Sequence, residues 1–326
     1  MTVRTILSIL FVSFCATSAF AKETILVIES YHAEYAWDKD FNRGIEKVIG
    51  DQYNIVNFYM DTKRVAKSEY ANRAEAAWAK YKQVKPSLVI LADDNALKLL
   101  GKRFESEPTL VVYLGINGSP RNYISLKSKN ITGVIERPLL KRSLVTLSSI
   151  LKPAPKKILV LLDDGTTSYA TVENMGGKHQ FRLSGVDITV KTIGAWKEWK
   201  QAVSSAKDNG YDAIIVGLYQ TIKEANKPVP AEQVITWTSN NASVPPFGFW
   251  SFSVGANKTI GGLVLYGYYQ GEAAAKLALK GLKQGKFSVT FPKTAEEGKL
   301  LFSKTQMKKW NISLPESLEK KATLVE

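Results

Sequence analysis

The sequence predicts an α/β protein built as two doubly wound parallel-sheet lobes with a cleft between them. Three observations carry that expectation. Short apolar, β-branched runs alternate with helix-period stretches along most of the chain, the order that gives parallel strands with crossover helices. The alternation runs twice, once before and once after Pro138. The length of 326 residues suits about two domains.

In the first series the strand-like runs are Ile25 to Glu29, Ile55 to Tyr59, Leu88 to Ala92, Leu110 to Leu114 and Ile131 to Ile135. Between the first two, Trp37, Phe41, Ile45, Val48 and Ile49 recur at steps of three and four, one buried helical stripe. Further helices fit Glu69 to Gln83 and Asn95 to Phe104. The second series opens with a helix over Lys141 to Leu151, stopped by Pro153 and Pro155. Strands follow at Ile158 to Leu162, Val186 to Thr192, Ala213 to Leu218, Pro246 to Trp250 and Gly262 to Leu265. Helices are expected at Val172 to Leu183, Trp196 to Asp208, Ala231 to Asn240 and Gln270 to Leu282, the last ended by Gly285. The domain plan is a leader at 1–21, lobes at 22–137 and 138–285, and a C-terminal segment 286–326 crossing back between them. The short join from Glu136 to Leu140 would serve as the hinge.

The leader is read from Arg4, the apolar run Ile6 to Phe14 and the small-x-small site Ala19-Phe20-Ala21. That run is short of the ~20 apolar residues that span a bilayer. Cleavage there removes Cys15, the only cysteine, so a mature chain from Lys22 carries neither disulfide nor thiol chemistry. Export to the periplasm follows. The formal net charge is +14, but the basic residues are scattered, with no arginine-rich tract. That pattern is a solvated basic surface and not a nucleic-acid interface.

In open α/β sheets, ligands bind outside the carboxyl ends of the strands. The residues there are the candidates: Tyr31, His32, Tyr35 and Trp37 after the first strand; Asp94 and Asn95 after the third; Gly115 and Asn117 after the fourth; Glu136 at the join; Asp164, Thr166 and Thr167 opening the second series; Tyr219 and Trp250 later. Aromatic walls with a few polar groups suit a small-molecule pocket. One member of Asp93-Asp94-Asn95 is expected to cap the following helix. The hydroxyl-rich turn Asp163 to Ser168 enters a helix and suits an anion. It lacks the lysine of a P-loop and the glycines of a dinucleotide fingerprint. No metal-ligand spacing and no G-x-S-x-G elbow occurs, so neither metal nor cofactor is expected. The alternative of an enzyme would rest on His32 as a base. His179 is read as a surface residue on its helix.

Several segments together resemble the periplasmic substrate-binding proteins of the ABC-transporter type, whose better-known members take up aromatic amino acids. They are Asn130-Ile131-Thr132-Gly133-Val134, the run Leu147 to Leu162, Val244-Pro245-Pro246-Phe247-Gly248, Tyr268-Tyr269-Gln270-Gly271-Glu272-Ala273-Ala274 and Trp310 to Glu316. The opening Ser30-Tyr31-His32-x-x-Tyr35-x-Trp37 is more similar to sensor-associated members. The resemblance implies the type I periplasmic binding fold and a monomer capturing a small molecule for an ABC permease or a membrane sensor kinase. Within it, Asp94, Asp164 or Glu136 would take a ligand ammonium. Thr166 and Thr167 would take a carboxylate. Tyr31, Trp37, Tyr219 and Trp250 would form walls.

Overall fold

A computed structural model describes residues 22–125, 127–288, 291–295 and 298–326. The expected leader lies outside the described residues. The chain runs β1 (Thr24–Glu29), α1 (Ala36–Ile49), β2 (Asn54–Tyr59), α2 (Tyr70–Val84), β3 (Leu88–Ala92), α3 (Asp93–Phe104), β4 (Leu110–Ile116) and β5 (Ile131–Ile135). It continues with α4 (Leu140–Ile150), β6 (Lys157–Leu162), α5 (Thr166–Asn174), β7 (Gln180–Leu183), β8 (Val186–Thr192), α6 (Trp196–Ser204) and β9 (Ala213–Val216). A small hairpin, β10 (Lys223–Glu224) and β11 (Lys227–Pro228), precedes α7 (Ala231–Asn241), β12 (Pro246–Gly248), β13 (Gly261–Val264) and α8 (Gly267–Gln284). The end is β14 (Lys293–Thr294), β15 (Lys299–Ser303), α9 (Lys304–Lys309), α10 (Glu316–Glu319) and β16 (Thr323–Val325).

These elements make an α/β protein with two mainly parallel sheets. The first has the order β14-β5-β4-β3-β1-β2 and the second β12-β9-β6-β8-β7. A third, of β13, β15 and β16, is smaller. The central strands β3 and β9 are buried at every residue. Strands covered by helices on both faces read as continuous apolar runs, and that is why they stood out in the sequence. The α1 stripe is buried as its spacing predicts, at Trp37, Phe41, Ile45 and Ile49.

Two expectations need correction. Residues 172–183 are not one helix: α5 ends at Asn174 and β7 begins at Gln180, antiparallel to β8. Gly176 (φ 91°) and Gly177 (φ 69°) sit between them in left-handed backbone, which glycine adopts freely and which ends a helix. His179 therefore stands before a strand, its Nδ1 3.1 Å from the Val190 carbonyl oxygen.

The second correction concerns α8, which falls inside the span 138–285 expected to form the second lobe. It packs instead along α1, and β14 joins the first sheet beside β5. Glycines make the helix contact possible: a Cβ on Gly44 would lie 2.1 Å from the Tyr268 carbonyl oxygen, and one on Gly271 would lie 1.9 Å from that of Phe41. The chain thus returns to the first sheet just after β13, before α8 and not after it. It then leaves again, because β15 pairs with β13. These passages, with the one at 136–139, link the two main sheets.

A cleft with an acidic inner space

The carboxyl ends of the two main sheets face each other. Tyr31 follows β1, and its hydroxyl lies 2.9 Å from Thr167 Oγ1, at the start of α5. Trp250, after β12, donates its indole N–H to Glu136, just after β5. Thr171 Oγ1 donates to Asn117 Oδ1 at 3.3 Å. The cleft is therefore closed across its width. Only about 10 Å³ of space remains inside, walled by Tyr31, Tyr35, Trp37, Leu218, Trp250 and Phe252, with Lys63, Asp93, Asn117, Glu136 and Thr167 as its polar groups. Outside it lies a cavity of about 420 Å³. Lys63, Tyr35 and Phe252 border both.

The polar groups of the inner space are held at a cost. Asp93 is buried in left-handed backbone (φ 69°), an unusual conformation for a residue with a side chain. Its Oδ2 has no hydrogen-bond partner, nor has Trp37 Nε1 beside it. Burial, reinforced by Glu136 and Asp94, holds the Asp93 carboxyl well above the usual carboxylate range. Burial likewise pushes Glu136 up to about 8. Behind them, Asp38 has no N–H or O–H donor. After burial and Asp93, the neighbouring carboxyl of Glu29 raises the Asp38 pKa further. Burial raises both, Glu29 to about 7, although Asn42 (3.1 Å) and Asn57 (2.8 Å) donate to Glu29. Burial drives the Lys63 ammonium the other way, downward. Desolvation disfavours every charge here. A ligand that supplied counter-charges would reverse that.

Other candidates are placed differently. Asp94 is fully engaged: it accepts from the backbone N–H of Asn117 (3.1 Å) and Gly118 (2.8 Å) and from the Tyr123 hydroxyl (3.0 Å). It braces the loop after β4 and borders neither cavity. Asn95 donates to Thr62 Oγ1 at 2.8 Å. Neither residue caps α3; Ser30 Oγ does so from the neighbouring loop, accepting from Ala96 N at 2.9 Å. Gly115 N–H donates to Gln270 Oε1 at 3.2 Å. Asp164 accepts from Thr221 Oγ1 at 3.0 Å and borders neither cavity, and nor does Thr166. His32 and Tyr219 border the outer cavity. His32 lies 3.7 Å from Asp61, and burial lowers its pKa.

A family model described as ABC transporter substrate binding protein matches residues 121–326. The chain belongs to that family. Its members bind a substrate and do not turn it over, so this is a binding protein and not an enzyme. Solved structures agree on the fold. The chain is similar to an ABC domain from Streptococcus pneumonia in complex with L-Trp (TM-score 0.67, 19% identity, covering 94% of this chain and 100% of that one). It is similar to a conserved domain protein from Vibrio cholerae (0.68, 16%, 94% and 100%). A third is the ligand-free, open structure of a substrate binding protein with adhesive properties from Clostridium difficile (0.66, 14%, 93% and 100%). At these identities the likeness shows the fold. A comparison with curated proteins finds no match. Among the described residues of this binding protein, no helix is long and apolar enough to cross a membrane.

Three residues that line the cleft are not among the sequence candidates. Lys63 follows β2, and the strand-end rule that marks the other candidates applies to it equally. Asp93 was seen as one of an acidic pair, without a sign that it is the member facing inward. Phe252 lies in a short turn after β12 and stacks on Trp250 at 6.2 Å.

Proposed function

We propose that this substrate-binding protein captures a small organic molecule bearing an amino group in the interlobe cleft, in the periplasm, and delivers it to the permease of an ABC importer. One observation carries the reading. Two buried carboxyls, Asp93 and Glu136, face the same aromatic-walled space, and Asp93 has an oxygen with no donor. A buried acceptor without a partner is costly, and an incoming ammonium removes that cost. The Streptococcus structure with L-Trp supports an amino-acid class of ligand. Tyr31, Trp37 and Trp250 supply the walls such a ligand needs. The likeness of the opening loop to sensor-associated members supports a second reading, in which a membrane kinase is the partner. Neighbouring genes for a permease and ATPase, or for a kinase, separate the two.

The experiment is a thermal-shift screen of amino acids, nucleosides, sugars, polyamines and small carboxylates, repeated on Asp93→Asn. A ligand at ~100 times its Kd stabilises by about 2.7 kcal/mol. The asparagine keeps the shape and removes the charge. It is expected to weaken the hit roughly tenfold or more while leaving the empty protein at least as stable. Unchanged affinity would take Asp93 out of the site.

A further inference from the structure

We propose that Lys63 is the anion anchor of the cleft and that the ligand is a zwitterion: its amine turns inward to Asp93 and Glu136, its carboxylate is held at Lys63, and the rest of the molecule lies in the outer cavity. This rests on the capture reading above.

Lys63 is only 7% exposed. Its ammonium sits over the Tyr31 ring, 4.2 Å from the centroid, and 5.1 Å from that of Tyr35. No hydrogen bond or ion pair to it occurs among the described residues. Ring faces compensate a buried cation only in part, and an ammonium withdrawn from water wants oxygen acceptors. The other cations bordering the outer cavity already have theirs. Arg64 Nε lies 2.6 Å from Asp61 Oδ1, and Lys258 Nζ lies 3.1 Å from Glu232. Among the described cations that border the cleft, Lys63 is the one with capacity to spare.

It is also held in place. Thr62 bonds the Ser30 carbonyl oxygen through its N–H (2.9 Å) and hydroxyl (2.7 Å), and receives Asn95 Nδ2 at 2.8 Å. The Tyr70 hydroxyl closes on the Thr62 carbonyl oxygen at 2.6 Å. Asp61, two residues before Lys63, is in left-handed backbone at φ 56°. Such a conformation persists where the surroundings over-determine it, and it recurs at ligand clamps.

Position assigns the two ends of the ligand. Asp93 and Glu136 border the inner space alone, whereas Lys63 borders both spaces. An amine reaching the acids brings an adjacent carboxylate to the junction. The inner space is narrow, so the remainder extends outward past Tyr35 and Phe252, whose rings are 5.7 Å apart. Beyond them Tyr219, Val229 and Pro230 offer an apolar wall.

The test titrates the full chain with the best-binding amino acid, its decarboxylated amine and its deaminated acid, using wild type, Lys63→Met and Lys63→Arg. The melting temperature of each empty variant checks its folding. The expected result is a preference for the amino acid over both analogues. Lys63→Met should lower its affinity roughly tenfold or more, leave the amine unchanged, and be partly rescued by Lys63→Arg. An amine that binds wild type as tightly as the amino acid, or an undiminished Lys63→Met, overturns the proposal and leaves the capture reading standing. So does a library in which only polyamines bind. A library with no hit in any class overturns both.

Discussion

Two strands of this protein, β3 and β6, run into the same dipeptide, and the two Asp-Asp pairs have opposite internal order. After β3 the second aspartate is the brace: Asp94 gathers two backbone N–H groups and a tyrosine hydroxyl, while Asp93 faces the cleft. After β6 the first is the brace. Asp163 accepts from Gly165 N (3.0 Å), Ser168 Oγ (2.5 Å), Gln220 N (2.8 Å) and Thr221 N (3.0 Å), while Asp164 turns aside to Thr221. The difference begins in the backbone. Asp93 enters α3 directly through a left-handed residue, whereas Gly165 separates the second pair from α5. A carboxylate at a strand end can tie loops together or wait for a ligand, and one residue of phase decides which.

The largest effect that tests this comparison is on stability. Asp163→Ala strands three backbone N–H groups and a hydroxyl and should lower unfolding stability by about 2–4 kcal/mol, read from urea titration. A loss below about 1 kcal/mol would mean that these donors find other partners. Next comes pH. Glu136 in the inner space and Glu29 behind it hold protons because burial raises them, Glu136 to about 8 and Glu29 to about 7. An unfolded chain gives up those protons near the ordinary 4.5. Their contribution is therefore whole below about pH 4.5 and is lost as pH rises through 7 and 8. Urea midpoints of the empty protein should fall between pH 5 and 9, and Glu136→Gln should flatten the upper part of that fall. An identical slope in the variant would remove Glu136 as its source. The smallest effect belongs to Asp164→Ala, whose half-exposed carboxyl has one hydroxyl partner. It should cost less than about 1 kcal/mol and leave ligand affinity unchanged. A binding defect there would return Asp164 to the site.

How far the sequence reaches depends on whether a feature is local. The central strands were legible because burial on both faces leaves an unbroken apolar run, as in Leu88 to Ala92. The α1 stripe was legible through its period. Strands β14 and β16 were not: they are two and three residues long and owe their form to the strands they join. In the site, Tyr31, Trp37, Glu136 and Trp250 could be named because strand ends mark the cleft. Asp94 was preferred to Asp93 because nothing in two adjacent aspartates tells which one meets the donors of a loop 23 residues away. The α8 contact was equally hidden, since Gly44 and Gly271 meet only when distant segments are laid together.

That contact has a consequence for the life of the chain. The first sheet begins at Thr24, yet its covering helix α8 and edge strand β14 come only after the second sheet has been specified. A ribosome releasing this protein exposes α1 with its partner still unmade. The early segment must stay unsatisfied, or pair provisionally, until residue 284 has emerged. Folding then finishes both halves together, from contacts of long sequence separation. No cut at residue 137 yields an autonomous half. Grafting one lobe onto another protein requires stitching a late piece of chain to an early one.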